Sequence, residues 1–260
     1  MTTEIPQYSL RKILLVWAAA AIPMAMLGWM VAPTLARHSD HPVLVRLAVL
    51  TVGLIWQFVL VMLLLYLEAR TWQWSVLKRR LWLTAPRSPQ TGLTLGRLWW
   101  WLIPVAALTA IFDLRIKGIV DHLWVSLFPF LAEPPGWSLN GALATPEARS
   151  QLAGAWGTGG LFLLNALFNT VLGEELLFRG LLLPRMARVF PKTDWMANGL
   201  LFGLYHLHQP WGIFSSMTHG ALLFALPSRY FRSAWFGIVA HSGQSIFFAV
   251  LILGLILGLA

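Results

Sequence analysis

The sequence predicts an all-α fold, a polytopic transmembrane helical bundle of six to eight spans with its N-terminus in the cytoplasm. Three observations carry that expectation. Of the 260 residues, 58% are hydrophobic and 11% charged, with mean hydropathy +0.68, which leaves too little polar surface to cover a water-soluble domain of this size. Apolar runs long enough to cross a bilayer, about 20 residues each, recur along the chain. The basic residues stand at the ends of those runs rather than along one polar face, so the net charge of +9 reads as a topology signal and not as a nucleic-acid footprint.

Taken in order, Arg11 and Lys12 precede an apolar run, 13–31, that is too long for a signal-peptide core and reads as a retained signal anchor. The expected spans are 12–35, 43–67, 97–112, 156–189, 195–208, 213–227 and 235–259, the fourth being long enough for one tilted helix or two shorter pieces. An N-in arrangement of these spans puts 14 basic residues inside and 5 outside (Arg37, Arg46, Arg115, Lys117 and Arg149), as the positive-inside rule requires.

Two connections have content of their own. Residues 71–83 interleave Trp72, Trp74, Leu77, Leu81 and Trp82 with Lys78, Arg79 and Arg80, the pattern of a helix anchored against anionic headgroups at the cytoplasmic interface. Residues 113–150, rich in aromatics and with Pro134 and Pro135, read as an extracytoplasmic loop with a short amphipathic helix. The expected division is an N-terminal region, 1–150, of spans and these connections, followed by a helical core, 151–260. With no cysteine, disulfides, thiolate nucleophiles and zinc–thiolate sites are excluded.

Ionisable side chains within apolar spans are costly, about 2.5–3.5 kcal/mol each near the bilayer centre, and they mark function unless they are internally paired. Three groups stand out. Glu174, Glu175 and Arg179 lie in the most apolar stretch. On a helix Glu175 and Arg179 are i and i+4 and share a face, while Glu174 points about 100° away, so one carboxylate can be held and the other left free. Phe202 and His206 stand one turn apart in the next apolar run, and His241 and Ser245 one turn apart in the last, with Gln244 facing elsewhere. An acid pair with an arginine is also the pattern of a buried structural network, and a single intramembrane histidine is as often packing as chemistry. Their conjunction favours a site. His219 reads first as a packed or interfacial histidine, with a place on the wall of the same cavity as the alternative.

The order and spacing of these residues resemble the CPBP family of intramembrane proteases, which includes type II CAAX prenyl endopeptidases and bacterial proteins linked to bacteriocin processing and self-immunity. That family's pattern is E-E-x-x-x-R, then F-x-x-x-H, then H-x-x-x-N or D. Glu174-Glu175-Leu-Leu-Phe-Arg179 and Phe202-Gly-Leu-Tyr-His206 match in full. The third motif departs from it, with Ser245 in place of Asn or Asp and Gln244 an imperfect substitute.

The resemblance implies a metal-free, cofactor-free hydrolase of a membrane-associated peptide or protein. Glu174 would act as base on a water, assisted by His206. His241 and Ser245 would stabilise the oxyanion, and Glu175 would orient the site through Arg179. No Ser-His-Asp set, cysteine or His-Glu-x-x-His offers another route. A divalent ion held by the carboxylates and histidines is the minority reading, because His206 and His208 would point about 200° apart on a regular helix. A catalytically weak scaffold or immunity protein is the alternative from another class. Transport is disfavoured, since the ionisable residues gather in one half with no inverted-repeat counterpart.

Overall fold

The computed structural model describes residues 5–138, 141, 145 and 152–259. Among them the chain forms eight helices and no β-sheet, as the composition predicts. Helix α1 (Leu10–Ala36) starts at Ser9, whose hydroxyl accepts a bond from the Lys12 amide at 3.3 Å. Helix α2 (Pro42–Ala69) opens with proline, which needs no amide partner there, and ends at Arg70 in the left-handed conformation, φ 51°. A short α3 (Trp74–Arg80) follows, then α4 (96–127), α5 (Trp156–Arg185), α6 (Asp194–Tyr205), two 3₁₀ turns (His206–His208 and Pro210–Gly212), α7 (213–231) and α8 (Trp235–Ile256).

Helices α1, α2, α5 and α8 are long and apolar enough to cross a membrane. Their outward residues, such as Leu15, Val52 and Val250, are more than half exposed, as lipid-facing positions would be. The long stretch from Trp156 is one continuous helix, not two pieces. With 12 residues, α6 covers only about 18 Å at 1.5 Å per residue, short of a ~30 Å hydrocarbon core, so the expected span 195–208 does not cross by itself.

Two expectations change. The span expected to end at residue 112 continues as α4 to Leu127, because Asp113 is taken up by partners inside the bundle rather than by water. Residues 139–140, 142–144 and 146–151 of the expected loop, Arg149 included, lie outside the described residues. Arg46, Arg80, Arg179 and Arg185 are buried, so they act as internal partners and not as topology signals. Arg185 and Arg80 converge with Lys12 and the Tyr8 hydroxyl on Glu68 of α2, one carboxylate collecting several cations at one end of the bundle.

Helix α5 forms the axis, and its residues 173–185 are buried without exception. Indole donors fix the helices around it: Trp17 Nε1 to Leu201 O, Trp29 Nε1 to Leu207 O and Trp56 Nε1 to Ala19 O, each 2.8 Å. In an apolar medium such bonds have no water to compete with them. Helix α5 also presses against α2 at Gly173, where a Cβ would stand 2.9 Å from Leu54 O.

Candidate active site

The acid pair sits where α5 departs from regular geometry. Glu174 and Glu175 fall between two π-helical stretches, Phe168–Gly173 and Leu176–Leu182, and two more π stretches, Phe112–Ile116 in α4 and His219–Ala225 in α7, come to the same region. A π turn re-aims side chains relative to the α repeat and recurs at functional sites.

The local spacing does what the sequence predicts for Glu175. Its Oε1 accepts from Arg179 Nη1 at 2.9 Å and faces His241 Nδ1 at 3.0 Å, with both members of the ion pair fully buried. Arg179 also donates from Nη2 to Gly220 O at 3.1 Å, and its guanidinium lies 4.2 Å from the Phe202 ring centre and 5.1 Å from that of Phe224. Phe202 thus packs a cation as well as His206, whose ring meets it edge-on at 4.9 Å. Gly237 of α8 makes room for this cluster: a Cβ there would lie 2.3 Å from Glu175 Oε2 and 3.0 Å from Arg179 Cγ.

Glu174 differs. It is buried without an ion-pair partner among the described residues and lines a cavity of about 340 Å³; the Oε2 atoms of both glutamates lack a hydrogen bond, but that of Glu175 lies behind the cavity wall, against Gly237. Phe202, His206, His219, His241, Gln244 and Ser245 line the same cavity, whereas Glu175 and Arg179 stand behind its wall. Helices α1 and α2 contribute Met24, Leu50 and Leu54 to the apolar side. The two carboxylates therefore occupy different surroundings, one neutralised within the protein and one open to the cavity.

Hydrogen bonds set the histidine tautomers. His206 Nδ1 is 2.8 Å from Phe202 O, so it carries the proton, and Nε2 is the free acceptor. His241 commits Nδ1 to Glu175, which leaves Nε2 as its free ring nitrogen. Helix α6 ends at Tyr205 and turns into 3₁₀ at His206, which lines the same cavity as Glu174. The same turn overturns the expectation that His206 and His208 diverge: their rings stack, with centres 5.6 Å apart and planes 22° apart. Regular α geometry, on which that expectation rested, stops one residue too early. Among the described residues no three His, Asp or Glu side chains are grouped as metal ligands.

Tyr205, Gln57 and Asp113 escape a reading of the sequence. Tyr205 accepts a bond from Gln57 Nε2 of α2 at 2.6 Å, and its hydroxyl lies within reach of the Glu174 carboxyl. Asp113 receives Gln244 Nε2 at 2.8 Å on both of its oxygens, so the Gln244 amide is engaged with α4. His219 Nε2 is 3.1 Å from Asp113 Oδ1, off the direction of a hydrogen bond, and its ring packs between Phe112 and Phe224 at 4.2 and 5.3 Å, so His219 is both a packed histidine and a cavity wall. Gln57, a lone amide at the centre of an apolar helix, is the one available signal for the first network.

No curated protein and no solved structure matches the chain. A family model does, that of the type II CAAX prenyl endopeptidase Rce1-like proteins, over residues 156–247. The matched segment spans all three motifs and runs from the start of α5 into α8. The resemblance read from Glu174-Glu175-x-x-x-Arg179, Phe202-x-x-x-His206 and His241 is thus matched by a family model over this segment, about a third of the chain.

Proposed function

We propose that this integral membrane protein is an intramembrane endopeptidase that cleaves a membrane-associated peptide or protein with a glutamate-activated water. The observation that carries the reading is the asymmetry of the acid pair: Glu175 is neutralised by Arg179, while Glu174, one residue earlier, has no ion-pair partner among the described residues and lines a cavity large enough for a peptide bond and its neighbours.

In the proposed reaction a water held at Glu174 loses a proton to its carboxylate as the water oxygen attacks the carbonyl carbon. His206 Nε2, a free acceptor on the same cavity, orients that water. The oxyanion that develops takes a hydrogen bond from the His241 Nε2 side and from Ser245. Donation from His241 Nε2 requires the imidazolium, whose other N–H, at Nδ1, stays on Glu175 Oε1. The proton taken by Glu174 then passes to the leaving amine as the C–N bond breaks, which restores the carboxylate. Tyr205, fixed by Gln57, positions Glu174 without touching the substrate.

One observation favours the second reading, a catalytically weak scaffold or immunity protein with the same fold. Ser245 has a shorter reach than Asn or Asp, and the adjacent Gln244 amide is held by Asp113, so the oxyanion side is thinly furnished. The positive-inside bias supports an N-in orientation in a bacterial cytoplasmic membrane. The test is a comparison of membrane peptides, by mass spectrometry, from cells carrying the wild type or Glu174→Gln. Peptides produced only by the wild type establish proteolysis, and identical sets from both contradict it.

A further inference from the structure

A second cleft, of about 520 Å³, shares no lining residue with the hydrolytic cavity. It lies between the segment after α3 and the α7–α8 turn and is lined by Arg79, Arg87, Arg229 and Arg232, with Trp82 and Asp194. Asp194 is matched by Arg229, which it holds in an ion pair. The side chains of the three remaining arginines, all exposed, have no hydrogen-bond or ion-pair partner among the described residues, so the cleft keeps an excess of positive charge.

Those arginines do not hang from loose loops. The Arg87 amide donates to Phe231 O at 2.9 Å, Ser233 Oγ to Thr84 O at 2.7 Å, and the Ala234 amide to Trp82 O at 2.9 Å, so the two segments are bound together along the cleft. Trp82 and Arg232, at the two sides of this seam, both adopt left-handed backbone, φ 52° and 48°. Non-glycine residues hold that conformation only where the surroundings impose it. Around the seam, Trp72, Trp74, Trp100 and Trp101 are 55–72% exposed, and Trp101 packs against Phe231 with ring centres 6.1 Å apart. A girdle of exposed tryptophans is the mark of headgroup level.

We propose that this cleft binds a phosphate group through Arg79, Arg87 and Arg232, apart from the site of hydrolysis. Guanidinium forks match phosphate oxygens pairwise, and a prebuilt cleft with three unpaired forks compensates the charge of one such group. The tryptophan girdle puts the headgroup of an acidic phospholipid at hand, while a free phosphate ion offers the same chemistry.

The test uses the full chain in two settings. In nanodiscs, lipid retention by native mass spectrometry and thermal melting are compared between phosphatidylcholine alone and phosphatidylcholine with phosphatidylglycerol. In detergent, inorganic phosphate is compared with chloride at equal ionic strength. The variants are Arg87→Gln alone, Arg87→Gln with Arg232→Asn (asparagine tolerates the left-handed backbone), and Lys78→Gln with Arg97→Gln, which removes the same charge outside the cleft. The expected result is retention of phosphatidylglycerol and a higher melting temperature in the wild type and the Lys78/Arg97 pair. Each cleft arginine lost should weaken apparent affinity by about fivefold. A response to inorganic phosphate that the cleft variants lose supports the site and identifies a soluble phosphate as its ligand. An equal response in cleft and control variants, or no wild-type response in either setting, overturns the proposal.

Discussion

Glu175 and Glu174 are adjacent and chemically identical, yet the same substitution should destabilise the protein strongly at one and scarcely at the other. Arg179 is fully buried, and Glu175 is its carboxylate partner, at 2.9 Å. Glu175→Gln removes that charge: an amide oxygen can still accept from Arg179 or His241 Nδ1, but the buried guanidinium keeps no counter-ion, only Gly220 O and the faces of Phe202 and Phe224. Breaking a buried pair from one side costs about 3–5 kcal/mol. At about 2–4 °C per kcal/mol, that lowers the melting temperature by roughly 6–20 °C. Glu174→Gln replaces a carboxylate that has no ion-pair partner among the described residues by an isosteric amide, so stability should move by no more than about 1 kcal/mol in either direction. Thermal melting of both purified variants in the same detergent reads the difference. Equal shifts, or a larger loss for Glu174→Gln, would refute the division of the pair into one fixed and one free carboxylate.

Three further outcomes follow from the same geometry. Tyr205→Phe removes the acceptor of the buried Gln57 amide and should cost about 1–3 kcal/mol of stability together with cleavage rate; Gln57→Leu combined with it should recover stability but not rate, and recovery of both would show Tyr205 to be packing alone. Ser245→Asn restores the amide of the family pattern and should raise the turnover rate, with a ceiling set by the ~2.7–4 kcal/mol worth of one oxyanion donor; a fall in rate would place residue 245 outside the oxyanion contact. Because the chain has no cysteine, Ser245→Cys and Phe247→Cys each introduce a single thiol. A small charged thiol reagent added from water should label position 245, on the cavity, and spare position 247, which is 63% exposed on the outer face of α8; the reverse pattern would mean that the cavity is dry.

What was legible in the sequence was what depends on near neighbours. Glu175 and Arg179 meet because four residues separate them on one helix, and the free direction of Glu174 follows from the same 100° step. Apolar runs predicted the all-α bundle for the same reason. The rest needed tertiary information. Gln57 and Tyr205 are 148 positions apart, and Asp113 and Gln244 are 131 apart, so nothing local announces either bond. Asp113 looked like the start of a loop because a lone acid at the end of an apolar run normally seeks water, whereas here an amide from α8 meets it. The stacking of His206 on His208 was hidden by a change of helical type at one residue, the scale on which sequence patterns are least informative.

The most direct measurement of the central claim is the single-turnover cleavage rate of a wild-type-specific membrane peptide by purified Glu174→Gln, in bilayers and at matched folded fraction. Loss of the water-activating base predicts a fall of at least about 10²-fold with binding of the peptide retained. A variant that cleaves within about tenfold of the wild type would contradict it, since general-base catalysis is worth more than that.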